Sequence, residues 1–344
     1  MLIDSRAERE RQAWAVLRLL LDDPRFDADD LDWTLVRAVA ERAGVIVRVA
    51  DTIVRRGEEL PPRLAESAAV ACTHTQRVLE IVDQLGAACR RLGIAHAFLK
   101  TAERYPDTGR DIDLLIAQPT RDGAIDAAIL RSLPAAPRKR SWRSRLAGSC
   151  TYAAANGIVV DIWHGRLGLL GEHARYARLL LERARPAALG MTTCLAPSAE
   201  DNLLLIDTQQ VYARPAFRLA DVYWTIRMLQ NRERAGGRLN WDYVFATALS
   251  MGMVPAVGTY LQYIDRIHTR IFGRPVVDSA IVARFHGSLR RDATRFPPPR
   301  AAARLFFQQF GATLESGRWH SAARLSLLPV VAAAALAAGS RRTR

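Results

Sequence analysis

Apolar positions recur every three to four residues through the first ninety, switch to alternation, and then return to helical spacing. The segment LDWTLVRAVAERAG opens on Asp32, a natural N-cap, and closes on Gly44, which suits a left-handed helix end. A longer helix is expected after Pro61-Pro62, from about Leu64 to Leu92, with Gly93 as its stop. From residue 94 the period shortens. IAHAFL and DIDLLI read as strands, and RDGAIDAAILRSL reads as a helix ending before Pro134. SCTYAAANGIVVDIWH holds two β-prone runs joined by Asn156-Gly157, a strong hairpin signal. After Gly165 helix dominates again: APSAEDNLLLIDTQQVYA with Ser198 as N-cap, then RLADVYWTIRML, then LNWDYVFATALSMG. In the last of these, Asn240-Trp241 and Gly252 repeat the spacing of Asp32-Trp33 and Gly44, one echo being too little to establish a repeat. FPPPR at 296–300 is a rigid break before the final helices.

This order predicts an α+β protein. A helical domain is expected over 1–92, a core with a small mixed sheet over 93–196, and a carboxyl-terminal helical domain over 197–344. With 344 residues and 49% hydrophobic content, the chain can bury real cores. Its formal net charge of +14 points to anionic partners: nucleoside triphosphates, nucleic acid or an anionic membrane surface. Arginine- and alanine-rich coding accounts for part of that charge, since Lys100 and Lys139 are the only lysines among 49 basic residues. Cys72, Cys89, Cys150 and Cys194 are widely spaced, with no CxxC and no Cys/His cluster in sequence. They read as reduced, mostly buried thiols rather than disulfides or zinc ligands. The first residues, MLIDSRAERERQ, lack an apolar signal core, so a cytoplasmic location is expected. Leu325 to Ala338 is apolar and a basic tail follows, but the stretch is shorter than the roughly 20 residues that span a bilayer. A packed last helix is the plainer reading of it, and peripheral membrane contact through 325–344 is the other.

The chemistry concentrates in LKTAERYPDTGRDIDLLI, residues 99–116. On a strand, Asp111 and Asp113 project to one side, about 7 Å apart along the chain, while Ile112 and Leu114 point into a core. Two such carboxylates suit a pair of divalent ions, Mg²⁺ or Mn²⁺, of the kind used in phosphoryl and nucleotidyl transfer. On IVVDIW, Asp161 points away from the apolar face of Ile158, Val160 and Ile162. A lone acid there either pairs with an arginine or completes the metal set, and its order after Asp111 and Asp113 favours the second. Lys100, rare in kind and placed at a strand end before the acids, suits phosphate oxygens. Trp163 shares the Asp161 face and suits either base stacking or packing, and His164 reads as a hydrogen-bonded strand-edge histidine. The run 131–145 carries six basic residues and no acid, as either a solvated loop or a guide for triphosphate or RNA. Arg218 and Asp221 suit a helix-surface or interhelical ion pair, with Arg218 also able to reach a triphosphate. No Walker loop, GxGxxG, HExxH or GxSxG occurs, so kinase, dehydrogenase, metalloprotease and hydrolase readings lack support.

Leu99-Lys100-Thr101, nine intervening residues, Asp111-Ile112-Asp113 and the later Asp161 resemble the pattern of DNA polymerase β-like nucleotidyltransferases. Tyr105-Pro106, Arg110, Asp111 to Leu115 and Asp161-Ile162-Trp163-His164 resemble an uncharacterised bacterial branch of that superfamily, as do the helical flanks from about 25 to 270. In that branch a glycine usually stands where this chain has Thr101, and a histidine where it has Gln209-Gln210. The resemblance implies an NTP co-substrate and a two-metal site in which Asp111 and Asp113 hold both ions and Asp161 the acceptor-side one. Lys100, Thr101 and Arg110, with Arg218, would then contact the triphosphate. Acceptors in the superfamily include small molecules, peptides, proteins and RNA ends, and fold does not choose among them. A protein that binds nucleotide or RNA without catalysis is the alternative.

Overall fold

The computed structural model describes residues 5–26, 31–109, 111–118, 123–133, 136–137, 144, 147–154, 157–213, 218–286 and 302–329. Four helices lead: α1 (Ser5–Leu20), α2 (Trp33–Ala43), α3 (Ile46–Arg55) and the long α4 (Pro62–Arg91). The expected devices bound α2. The Asp32 carboxylate accepts from the Thr34 and Leu35 amides, and Gly44 ends the helix at φ 69°. Pro62 occupies the first turn of α4, where its missing N–H costs nothing.

The sheet follows, as β1 (His96–Leu99), a single turn α5 (Thr101–Arg104), β2 (Asp111–Ile116), α6 (Ala124–Ile129) with a 3₁₀ turn at Leu130–Ser132, β3 (Ala136–Pro137), β4 (Ser149–Ala153) and β5 (Val159–His164). Its strand order is β1-β2-β5-β4-β3. Only β2 and β5 run parallel; the other neighbours are antiparallel. The β4–β5 hairpin turns at Gly157, whose φ of 76° an L-residue adopts only at a cost. The two-residue β3 lies inside the basic run read as a loop, most of which falls outside the described residues.

One sheet face carries Ile112, Leu114, Ile116, Val160 and Ile162, all but closed to solvent. They pack with Val78, Val82 and Leu85 of α4 and Ile129 of α6 in one apolar cluster. That burial is the driving force that fixes the register, since a slip of one residue would turn every acid into the core.

After α7 (Ala174–Glu182) comes a hairpin, β6 (Arg185–Leu189) and β7 (Thr192–Ala196), turning at Gly190 with φ 63°. The expectation of helix after Gly165 misses it, because the alternation in RPAAL and TTCLA is too short to stand out. Helices then resume: α8 (Ala199–Ala213), α9 (Leu219–Arg234), α10 (Trp241–Met251), α11 (Val254–Phe272), α12 (Ser279–Arg284), α13 (Ala302–Glu315) and α14 (Trp319–Leu325). Asn240 caps α10 by accepting from the Tyr243 amide, and Gly252 closes it. A second apolar cluster joins α1–α3 to α7–α11 and reaches the sheet at Ala97, Leu99 and Leu115, so the helices pack around the edge and face that bear the acids. The fold is α+β.

Candidate active site

Strand register brings the three acids together. Asp113 lies directly opposite Asp161 across the parallel β2–β5 pair, and Leu99, the last residue of β1, lies opposite Asp113 from the other side. Side chains alternate, so Asp111, Asp113, Asp161, Trp163 and Thr151 all belong to one face. Asp111 is exposed, Asp161 is half-buried and Asp113 is buried.

Asp113 and Asp161 are each held by partners that neighbouring strands and the turn after β1 supply. Lys100 adopts φ 61°, a left-handed turn that folds the chain from β1 into α5. From there its Nζ donates to Asp113 Oδ2 at 2.7 Å, and both side chains are more than nine-tenths buried. The Trp163 indole N–H donates to Asp113 Oδ1 at 3.1 Å. Burial would raise the Asp113 carboxyl, but Lys100, Arg104 and Trp163 together hold it below the usual carboxylate range. Thr151 Oγ1 donates to Asp161 Oδ1 at 2.5 Å. The Asp161 carboxyl is nevertheless raised, first by burial and then by the charges of Asp113 and Asp111, which outweigh that hydrogen bond. Three mutually repelling carboxylates on one rigid face form a hard-oxygen donor set that fits Mg²⁺ or Mn²⁺. Their ligand oxygens do not all lie within the 4.8 Å that defines a compact cluster elsewhere in the sheet.

Two further cations face the acids. Arg104, one helical turn after Lys100, contributes its charge to Asp113. A Cβ at Gly109 would lie 3.2 Å from both Arg104 Nη1 and Asp111 Oδ1, so glycine lets these two groups close over the backbone. Arg218 opens α9. The residue as a whole is exposed, yet its guanidinium is desolvated enough that its pKa falls, with Arg104 adding to the fall and Asp221, Asp111 and Asp113 opposing it. Thr101 is buried at the start of α5, with only a long 3.5 Å contact from its hydroxyl to the Leu99 carbonyl. Arg110 lies outside the described residues, as does residue 330 onward of the apolar tail.

The sequence reading missed three features here. The first is Arg104, the last residue of α5, whose charge acts on Asp113. Glu103 is pushed up to about 7 by burial, and it accepts a hydrogen bond from the Asn202 amide of α8. The third is a clamp on the loop before β2. Asp107 accepts from the Val47 and Arg48 amides in the first turn of α3, at 2.6 and 3.2 Å, and pairs with the Arg48 guanidinium. Arg48 also donates to the Glu103 and Tyr105 carbonyls, and from α4 Thr75 and His74 hold the Pro106 and Gly109 carbonyls.

The opposite face of the same strands holds one of the cysteines, all four of which are free and three of which are buried, as expected. Cys150 of β4 and His164 of β5 meet Asp126 of α6, with ligand atoms within 4.8 Å of one another. Among the described residues no other three Cys, His, Asp or Glu side chains gather as closely. No cluster was visible because 24 residues separate the first from the second; the hairpin register, with Cys150 opposite Ile162, is the signal that places His164 beside it.

A small mixed sheet that carries acids on neighbouring parallel strands, behind a strand, turn and helix, agrees with the nucleotidyltransferase resemblance read from the sequence. The chain belongs to a family described as uncharacterised nucleotidyltransferase, whose model matches residues 29–268, from just ahead of α2 to near the end of α11. No curated protein and no solved structure gives a match. Nucleotidyl transfer is thus the activity class of the chain. No helix among the described residues is long and apolar enough to cross a membrane.

Proposed function

We propose that this chain moves a nucleoside monophosphate from a nucleoside triphosphate to an acceptor hydroxyl, amine or phosphate and releases pyrophosphate. The new bond joins the acceptor atom to the α-phosphorus. The bond from that phosphorus to the β-bridging oxygen breaks, and the acceptor proton passes to solvent. The observation that supports this most directly is the parallel register of Asp113 with Asp161, with Asp111 two residues before on the same face.

Asp111 and Asp113 would hold two Mg²⁺ or Mn²⁺ ions, and Asp161 would share the acceptor-side one. Such ions, when bound, neutralise phosphate charge and make the acceptor a better nucleophile. The chain's own cations do the rest. Lys100 would share its ammonium between Asp113 and a phosphate oxygen, with Arg104 and Arg218 as further phosphate partners. The Thr101 hydroxyl, which makes only a long contact within the chain, would donate to the same phosphates. The helices that pack around the acidic face favour a pocket for a small molecule or a peptide or protein side chain, and an RNA end is the competing acceptor.

The test is incubation with α-labelled NTPs and Mg²⁺ or Mn²⁺ over a panel of metabolites, peptides and RNAs. Metal-dependent product and pyrophosphate are expected, and both should vanish in a folded Asp113→Asn variant. Nucleotide binding without turnover over the whole panel would sink the proposal in favour of a binding protein.

A further inference from the structure

We propose that Asp126, Cys150 and His164 form a binding site for one Zn²⁺ ion on the side of the sheet away from the acids. The site is independent of the proposed reaction, since none of the three side chains faces the acidic surface. All three are buried, Asp126 at 1%, Cys150 at 6% and His164 at 7% exposure. They come from three different elements, α6, β4 and β5.

The second ring of contacts argues for a metal rather than a chance polar cluster. His164 Nδ1 faces the Gly148 carbonyl at 3.1 Å, and a carbonyl can only accept. That bond fixes the proton on Nδ1 and leaves Nε2 to face Asp126 Oδ1 at 2.7 Å and the Cys150 thiol. The other carboxylate oxygen, Asp126 Oδ2, is tied by the Tyr152 hydroxyl at 2.5 Å. An imidazole anchored through one nitrogen to a backbone carbonyl, and a carboxylate anchored through one oxygen, are how metal ligands are held in orientation. One sulfur, one nitrogen and one oxygen form a mixed donor set that suits Zn²⁺ and not Mg²⁺. Three protein ligands are also the count of zinc sites that take a water as the fourth.

With Zn²⁺ bound, the Cys150 thiolate, the Asp126 carboxylate and a neutral His164 imidazole leave the buried site without net charge, the displaced protons passing to solvent. The same cluster does not suit thiol catalysis, because both histidine nitrogens are committed and the thiol is closed to substrate. Bound there, the ion would pin α6 to the hairpin whose second strand carries Asp161, three residues before His164.

The experiment uses the full chain, freed of metal by chelation and titrated with Co²⁺ as the probe. One equivalent per chain should produce a near-ultraviolet sulfur-to-cobalt charge-transfer band, which added Zn²⁺ abolishes while raising the thermal midpoint by several degrees. The band should persist in a variant with Asp111, Asp113 and Asp161 all changed to Asn, which separates this site from the acidic face. It should be lost in Cys150→Ser. It should also survive when Cys72, Cys89 and Cys194 are changed to Ala, so assignment to Cys150 does not depend on the folding of the serine variant. A folded wild-type chain that gives no sulfur band, or a band that survives Cys150→Ser, would overturn the proposal.

Discussion

Replacing Asp107 by alanine should cost far more than the loss of an ordinary helix cap. Its side chain is 2% exposed and accepts from two amides in the first turn of α3, although it lies some sixty residues away in sequence. Loss of those acceptors alone costs about 1–2 kcal/mol, as for a strong N-cap. The buried Arg48 guanidinium also loses its carboxylate, about 1–3 kcal/mol, at the lower end because it keeps the Glu103 and Tyr105 carbonyls. The expected loss is therefore roughly 2–4 kcal/mol, read as a drop in the urea midpoint at unchanged slope. The internal control is Asp32→Ala, which removes the exposed two-bond cap of α2 and should cost about 1 kcal/mol. Burial is the largest influence on the Asp107 carboxyl and raises it, so acidification does not mimic the substitution. NTP affinity should fall with stability, because the clamped loop joins Lys100 to Asp111. If Asp107→Ala costs no more than Asp32→Ala, the clamp is merely a local cap and the reasoning fails.

Asp161→Asn should abolish turnover, by at least about 100-fold, yet leave the urea midpoint unchanged or slightly raised, because it removes a carboxylate that Asp113 and Asp111 repel; a clear loss of stability would contradict this. Lys100→Met should destabilise by about 3–5 kcal/mol in thermal or urea unfolding, since it strands Asp113 in the interior without its cation. In chelator-treated protein, His164 has its pKa raised to about 10 by Asp126, Cys150 and the Gly148 carbonyl, against the pull of burial. Its stabilising contribution is therefore full below the unfolded value near 6.5 and is lost as pH rises toward 10. Asp126, whose pKa is lowered, contributes above its unfolded value and loses that contribution as pH falls. Urea midpoints at several pH values should decline on the alkaline side in wild type and much less in Asp126→Asn; equal declines would count against the pair. Thr101→Gly should change NTP affinity only modestly, since the left-handed residue is Lys100; a large gain in activity would show that backbone access at 101 was limiting.

Much of this was legible because local rules and tertiary burial agree. Alternation in DIDLLI and IVVDIW placed the acids on one face and the isoleucines, leucine and valine on the other, and Asn156-Gly157 marked the hairpin between β4 and β5. Asp32, Gly44, Asn240 and Gly252 behaved as caps because capping is decided within a few residues. What stayed hidden depends on distance along the chain. Nothing near Asp107 in sequence marks it until α3 is seen to bring its amides there. Cys150 reads as a core thiol until α6 brings Asp126. Arg104 stayed hidden because an arginine-rich chain makes any one arginine inconspicuous.

At Lys100 one residue provides both a backbone shape and a charge. Glycine would relax the turn and forfeit the ammonium. Arginine would keep the charge in a longer, planar head that does not fit the same short bridge to Asp113. Any replacement gives up one requirement while meeting the other, so single substitutions offer no gradual path away from lysine. In a chain whose only other lysine is Lys139, this position ties a left-handed backbone to a compact charge, two demands that arginine and glycine each meet only in part.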